Sequence, residues 1–231
     1  MRRFNLFLKR FFDIAVSFVA IIFLTVIPVF IVVPIFIKLT SRGPVLFKQV
    51  RVGKNGKPFV MYKFRTMTVE QYNSDGTEIM SENRITKTGK ILRKLSIDEL
   101  PQLFNILNGT MSIIGPRPML EYQAPRCIGE ENLRFDMRPG LTGLAQVQGR
   151  NNLIWEDRIQ YDIQYVKKFS FWLDIKILFK TVFMVLKRKG TDVKSEYRGV
   201  SRFSKHYVPE EKAEALSAVA ESSHGNTGEN T

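Results

Sequence analysis

The sequence predicts a mostly helical α+β fold with a small β-hairpin, attached to a membrane by its N-terminal segment. Three observations predict it. Residues 14–37 contain no charged side chain. Two short extended runs flank a Gly/Asn/Pro turn at residues 53–58, the pattern of a hairpin. Beyond residue 88, apolar residues recur at helical spacing up to residue 189.

Between Ile14 and Ile37 only Ser17 and Thr25 are polar. Twenty-four helical residues extend about 36 Å, enough for a hydrocarbon core of about 30 Å. The run is too long for a cleaved signal, and no small-residue cleavage pattern follows it. Pro28 and Pro34 interrupt it, and each removes a backbone donor. Arg2, Arg3, Lys9 and Arg10 precede it and Lys38, Arg42 and Lys48 follow, so the positive-inside rule names no outer end. A spanning helix and a re-entrant one that leaves both basic flanks beside anionic lipid are both compatible with this pattern.

Residues 45–50 and 59–65 form the expected hairpin strands, with Phe59, Met61, Lys63 and Arg65 on one face. Residues 66–84, with Asn73-Ser74-Asp75-Gly76, read as a polar surface loop. Helical signals resume at residues 88–93 and again from Glu99 to Leu107, where Leu100, Leu103, Phe104 and Leu107 make one stripe. Ser96-x-x-Glu99 matches a capping box, and Pro101 suits a first turn. Asp98 and Glu99 would then sit at the positive end of a helix dipole, which favours ionised carboxylates. Arg138-Pro139-Gly140-Leu141-Thr142-Gly143 and Gln148-Gly149-Arg150-Asn151 read as Gly-rich turns, either phosphate-presenting or simply tight. Residues 153–168 read as a helix. Residues 171–189 read as a basic, aromatic amphipathic helix, suited to a membrane interface or to a core with a solvated lysine face. From Val208 the composition turns acidic, then Ser/Gly/Asn/Thr-rich, and predicts a flexible tail.

A chain of 231 residues is one domain, or one with an appendage. Thirty-five Lys and Arg against 22 Asp and Glu give a net charge of +13, which points to a polyanionic partner: nucleic acid, anionic lipid or a phosphorylated substrate. The single cysteine, Cys127, excludes an intrachain disulfide, and two histidines argue against a His-ligated metal. Within this basic chain the adjacent carboxylates Asp98 and Glu99 stand between Arg93-Lys94 and Gly115-Pro116-Arg117-Pro118. A carboxylate pair between arginine-bearing turns suits chemistry on a phosphate, one acid attacking or moving a proton while guanidinium groups hold anionic oxygens. Alone, such a pair reads first as the acidic first turn of an ordinary helix, and the arginine-bearing surroundings turn the reading toward phosphate chemistry.

At these residues the chain resembles the bacterial sugar transferases, the monotopic polyprenyl-phosphate phosphoglycosyl transferases. The resemblance runs in order from Lys9-Arg10-x-x-Asp13 through Gly43–Gln49, Tyr62–Met67, Gly89–Arg93, Ser96–Gln102, Asn108–Ser112, Gly115–Pro118 and Arg138-Pro139-Gly140 to Asp174–Leu178. It implies an enzyme at the cytoplasmic face of the bacterial inner membrane that transfers a sugar 1-phosphate from a UDP-sugar to undecaprenyl phosphate and releases UMP. Asp98 would be the nucleophile, and Glu99 a base or magnesium contact. Lys63, Arg65, Arg93 and Arg117 are the available phosphate-binding cations, Arg138 and Arg150 the nucleotide-sugar contacts, and Mg2+ the cofactor, held at Asp98 and Glu99. The resemblance also implies a re-entrant membrane helix at residues 1–40, a compact cytoplasmic catalytic domain at 41–190 with amphipathic interfacial helices, and an extension at 191–231. Partners are the two substrates and membrane lipid; a homodimer is open, and no nucleic-acid-reading motif is present. Two positions depart from the family: Thr25-Val26 stands where a Ser-Pro break is usual, leaving Pro28 as the nearest proline, and Gln148 stands where Asn is usual. The alternative from another class is a non-catalytic, membrane-tethered polyanion-binding protein, which needs no Asp-Glu pair.

Overall fold

In the computed structural model, described for residues 2–70, 83–149, 153–187 and 202–203, seven α-helices and two two-stranded sheets surround a continuous apolar core. Helices α1 (Arg2–Val26) and α2 (Val29–Thr40) are bent by 62° at the break that holds Pro28. Proline cannot supply the donor a continuing helix needs, and here it takes the N-cap position of α2. No single described helix is long and apolar enough to cross a membrane, whereas α1 and α2 together are, by length and composition.

Helix α1 presents two faces. Phe4, Phe7, Phe11 and Phe18 are exposed, while Lys9, Asp13 and Ser17, four residues apart, form a buried polar stripe. Lys9 Nζ donates to Asp174 Oδ2 and to the Ile114 carbonyl, both at 2.7 Å. Asp13 accepts from Ser112 Oγ at 2.8 Å and from the Ile113 amide at 3.0 Å. Tyr165 completes the network by donating to Asp174 Oδ1 at 2.7 Å. Arg10 donates to the Ile106 and Leu107 carbonyls. The basic flank expected to face lipid is therefore partly internal: Lys9 holds a buried carboxylate and Arg10 terminates a helix.

The hairpin forms as expected, β1 (Leu46–Val52) antiparallel to β2 (Pro58–Phe64), and Asn55 at φ 56° makes the turn. Helix α3 (Lys87–Lys94) starts on Thr86, whose hydroxyl accepts from the Gly89 amide at 2.9 Å. Helix α4 (Gln102–Leu107) follows the Asp-Glu pair, and α5 (Leu144–Gly149), α6 (Trp155–Lys167) and α7 (Phe171–Leu186) complete the helices. Within α4, Asn105 is fully buried, donating to the Val60 carbonyl at 2.7 Å and accepting from the Tyr62 amide at 3.1 Å. Its carboxamide thus serves as a strand partner along the free edge of β2.

The expected Gly-rich turn at 138–143 is instead the parallel pairing of β3 (Ser112–Ile114) with β4 (Gly140–Thr142). A Cβ on Gly115 would lie 2.3 Å from the Arg138 carbonyl, and one on Gly140 would lie 2.1 Å from the Gly115 nitrogen. These glycines permit backbone contact, and their amides donate to Thr142 and Pro116 rather than to an anion. The second expected turn is helical through Gly149, while Arg150 and Asn151 lie outside the described residues.

The main core joins Met61, Leu103, Ile106, Met111, Ile114, Tyr165 and Ile177, with Phe12, Val16 and Ile21 of α1 packed on it. Ile37 of α2 is buried with Phe64 and Leu92. In the C-terminal extension Phe203 is fully buried against Met119, Cys127 and Ile159. The loop expected around Asn73–Gly76 and the tail from Val208 lie outside the described residues.

Removing Lys9 would leave the buried Asp174 carboxylate without its countercharge. We predict that Lys9→Met lowers unfolding stability by about 3 kcal/mol or more, measured by denaturation in detergent. Lys9→Met combined with Asp174→Leu should lose less than Lys9→Met alone. If the double variant is the less stable, the pair is not the clamp.

Candidate active site

Asp98 and Glu99 do not begin a helix. Ser96 adopts a left-handed conformation at φ 57°, and residues Ile97–Glu99 form one 3-10 turn between α3 and α4. The expected capping box is absent, because Ser96 caps nothing and Glu99 turns away to Lys63, Nζ to Oε1 2.6 Å. The turn is held from both sides. Ile97 and Leu100 pack with Phe64 and Leu92, and the Asn105 hook fixes β2 next to Lys63.

The pair lies in an open groove of about 2000 Å³ between the hairpin, α3, α6 and α7. Ten Lys and Arg residues line it against two carboxylates, Asp98 and Glu99, so the groove selects anions. Lys63, Arg65, Arg93 and Arg117 all reach it. Arg93 is oriented by Nε donating to Thr66 Oγ1 at 2.8 Å. Gly89 allows that approach, since a Cβ there would meet the Thr66 carbonyl at 2.0 Å. Arg65 borders the groove, but its terminal nitrogens bond Ser41 and Arg42, so it joins the hairpin to the end of α2. Arg117 stands on a rigid turn whose carbonyl accepts from Arg134 at 2.7 Å, and Arg134 pairs with Asp162 at 2.7 Å, both fully buried.

Arg138 is not brought to the pair. Its Nε donates to the Gly109 carbonyl at 2.7 Å, and it is absent from the groove wall. Arg150 lies outside the described residues. Three further groove arginines, Arg51, Arg84 and Arg158, are not among the residues the sequence points to. The reading of β1 stopped at Val50, one residue short of Arg51. Arg158 sits in a mixed helix whose groove-facing side is chosen only by packing. Cys127 is buried beside Met119, Sγ to Sδ 3.6 Å, with its thiol pushed up by burial, and it takes no part in the groove.

The two acids have opposite electrostatics. Desolvation and the neighbouring Glu99 push Asp98 up to about 6, against Lys63 and Arg93. Desolvation also pushes on Glu99, but Lys63 and Arg117 overcome it and hold this carboxyl below its ordinary range. The dipole expected to favour ionised Asp98 is outweighed, since α4 begins only at Gln102 and has six residues. One carboxyl is thus held toward its ionised form and the other is poised.

The carboxylates also bear on the expected Mg2+. No cluster of three or more His, Cys, Asp or Glu occurs among the described residues. Magnesium typically takes one or two carboxylates and fills its shell with phosphate oxygens and water. Asp98 and the Glu99 oxygen not held by Lys63 fit that limited role beside a diphosphate.

A poised carboxylate beside an ionised one, under a wall of guanidinium groups, is an arrangement suited to phosphorylated substrates. The chain belongs to the bacterial sugar transferase family, which it matches over residues 4–188. It is 47% identical over 183 residues to the uncharacterized sugar transferase EpsL of Bacillus subtilis, covering 79% of this chain and 89% of that protein. It is 44% identical over 203 residues to the UDP-glucose:undecaprenyl-phosphate glucose-1-phosphate transferase of Klebsiella pneumoniae, covering 84% of this chain and 42% of that protein. The exopolysaccharide production protein ExoY of Rhizobium meliloti is 37% identical over 199 residues, covering 79% of this chain and 87% of that protein. The chain therefore spans most of the shorter relatives and about two fifths of the longer one.

Because the Asp98 carboxyl is raised in the folded protein, its contribution to stability is full below the ordinary value of 3.8 and is lost as pH rises through about 6. We expect Asp98→Asn to raise the melting temperature at pH 8 and to leave it unchanged near pH 3.5. A variant less stable than the parent at pH 8 would contradict a desolvated Asp98.

Proposed function

We propose that this protein transfers a sugar 1-phosphate from a UDP-sugar to undecaprenyl phosphate, with release of UMP, in two displacements at Asp98. The observation that carries the reading is the Asp98 carboxyl in an arginine-lined groove. The activity for which the Klebsiella relative is named supports the substrate pair. In the first displacement an Asp98 oxygen attacks the phosphorus that bears the sugar. The bond from that phosphorus to the bridging oxygen breaks, and its electron pair leaves with UMP. In the second, an oxygen of the lipid phosphate attacks the same phosphorus, and the electron pair of the Asp98–phosphorus bond returns to the carboxylate.

Arg93 and Lys63 flank Asp98 and balance charge on the equatorial oxygens. Glu99, held toward its ionised form by Lys63 and Arg117, is suited to a metal contact or to accepting a hydrogen bond from an acceptor phosphate that arrives as the monoanion. Asp98 and Glu99 would hold Mg2+, which would supply positive charge to the donor diphosphate. An intermediate on Asp98 lets a soluble donor and a lipid acceptor use one groove in turn. A purely polyanion-binding protein gains nothing from two carboxylates on the groove wall, which would repel its ligand.

The groove must then lie at a membrane surface, and the helix pair supports this. Lys9 and Asp13 of α1 dock on β3 and α7, while Ile37 and Ser41 at the far end of α2 dock on the hairpin and α3. Both ends of the apolar pair thus attach to one domain, the arrangement of a re-entrant segment with its bend at Pro28 in the bilayer. On α7, Trp172, Phe179, Val182, Phe183 and Leu186 are exposed beside Lys176 and Lys180, which suits the interface of a cytoplasmic membrane face.

Incubation with sugar-labelled UDP-sugar should trap labelled phosphosugar on the native protein and none on Asp98→Asn. Trapping on the variant would assign the nucleophile elsewhere. The pH profile of kcat/KM should fall on the acid side through about 6, where Asp98 takes up its proton. For topology, Asn5→Cys and Arg42→Cys, each in a Cys127→Ser background, should be labelled by an impermeant reagent from the cytoplasmic side only. Labelling of the two from opposite sides would make the segment a spanning one.

A further inference from the structure

We propose that Arg51, Arg117 and Arg158 form one phosphate seat used twice, first by the departing UMP phosphate and then by the incoming lipid phosphate. The inference rests on the two-displacement reading at Asp98 and assigns roles to two arginines outside it.

The three guanidinium groups belong to one rigid frame. Val52 donates to the Met119 carbonyl at 2.9 Å, zipping the end of β1 to the turn that carries Arg117. Arg51 is braced there, donating to the Pro118 carbonyl at 3.1 Å and to Gln49 Oε1 at 2.7 Å. Arg158 lies one helical turn before Asp162, the residue that pairs with Arg134, and its guanidinium lies 5.3 Å from the Trp155 ring centre. Arg134 in turn holds the Arg117 carbonyl. All three arginines line the groove of the carboxylate pair.

Charges are ordered along the groove. Asp98 senses Glu99, Lys63 and Arg93, and Glu99 senses Lys63 and Arg117. Arg51 and Arg158 each sense Arg117, and both are lowered to about 10, by desolvation first and that like charge second. Like charges held together out of bulk water repel one another, and an anion among them reverses the sign of that interaction. Arg117 is the member of the trio whose charge reaches Glu99.

Chemistry then fixes the double use. Displacement at phosphorus proceeds with attacking and leaving oxygens roughly in line. Asp98 occupies one apical position in both steps, so the opposite position receives the leaving oxygen first and the attacking oxygen second.

The test uses native protein preloaded with labelled phosphosugar and freed of UMP. Either UMP, which regenerates UDP-sugar, or a short-chain polyprenyl phosphate then discharges it. In Arg51→Gln and Arg158→Gln the half-saturating concentrations of both dischargers should rise in parallel, by about tenfold for loss of one charged contact. The Arg→Lys variants should recover part of each. A rise for UMP alone, or for the lipid alone, would overturn the shared seat, and no rise for either would overturn the seat itself. Failure of the native protein to load any label would instead sink the Asp98 reading.

Discussion

The buried ion pair between Lys9 and Asp174 is the contact on which the arrangement of the molecule depends. It joins the first helix of the chain to the last described one, and the Ile114 carbonyl and the Tyr165 hydroxyl complete its bonding. With Asp13 bound to Ser112 and Ile113, it clamps a helix with a phenylalanine-rich outer face onto the short sheet at the centre of the core. Such a pair need not be more stable than apolar packing would be, but it admits few alternative registers, because any slip leaves charges buried without partners. An amphipathic helix held only by greasy contacts could rotate or slide; this one cannot.

That clamp sets where the membrane meets the chemistry. Helix α1 is fixed against β3, β3 pairs with β4, and Gly115, at the end of β3, starts the turn that presents Arg117. At the other end of the bent pair, Arg65 ties α2 to the hairpin that carries Lys63. The apolar segment is thus coupled at both ends to strands that supply cations to the groove. Helix α7 adds a wall that is groove-lining at Leu178 and Thr181 and exposed and apolar at Phe179, Val182 and Phe183. In the proposed reaction a lipid phosphate and a water-soluble nucleotide sugar would meet there without either crossing the protein.

The carboxylate pair illustrates how one turn gives two adjacent acids different properties. Both are desolvated, but only Glu99 has a direct lysine partner and a nearby Arg117. At Asp98 burial and its neighbour's negative charge outweigh Lys63 and Arg93 and keep its proton on until about pH 6. A phosphorylated ligand and its counterions would change that balance, so the poise belongs to the free protein. The left-handed Ser96 is the backbone feature that allows the turn, and its strain is sustained by the packing of Ile97 and Leu100.

Much of this was legible in the chain itself. The charge-free run, the hairpin turn and the helical stripes depend on local period and turn chemistry, and α3, α6, α7 and the hairpin formed within a few residues of where these signals put them. The ordered motifs around Asp98 specified the family. Other features depend on contacts between residues far apart in sequence. Lys9 and Arg10 look like lipid-facing cations until Asp174 and the end of α4 are brought to them. Ser96 and Glu99 look like a capping box until Lys63 offers a stronger partner. The three-residue strands β3 and β4 are too short to show a period, and their glycines read as turns because only the pairing reveals what a Cβ would strike. Arg51, Arg117 and Arg158 come together only after a strand, a turn and a helix pack. Local sequence fixes backbone preference within a turn or two, whereas the tertiary structure decides which charges are neutralised and which are gathered, because Coulomb interactions and desolvation depend on distance in space rather than along the chain.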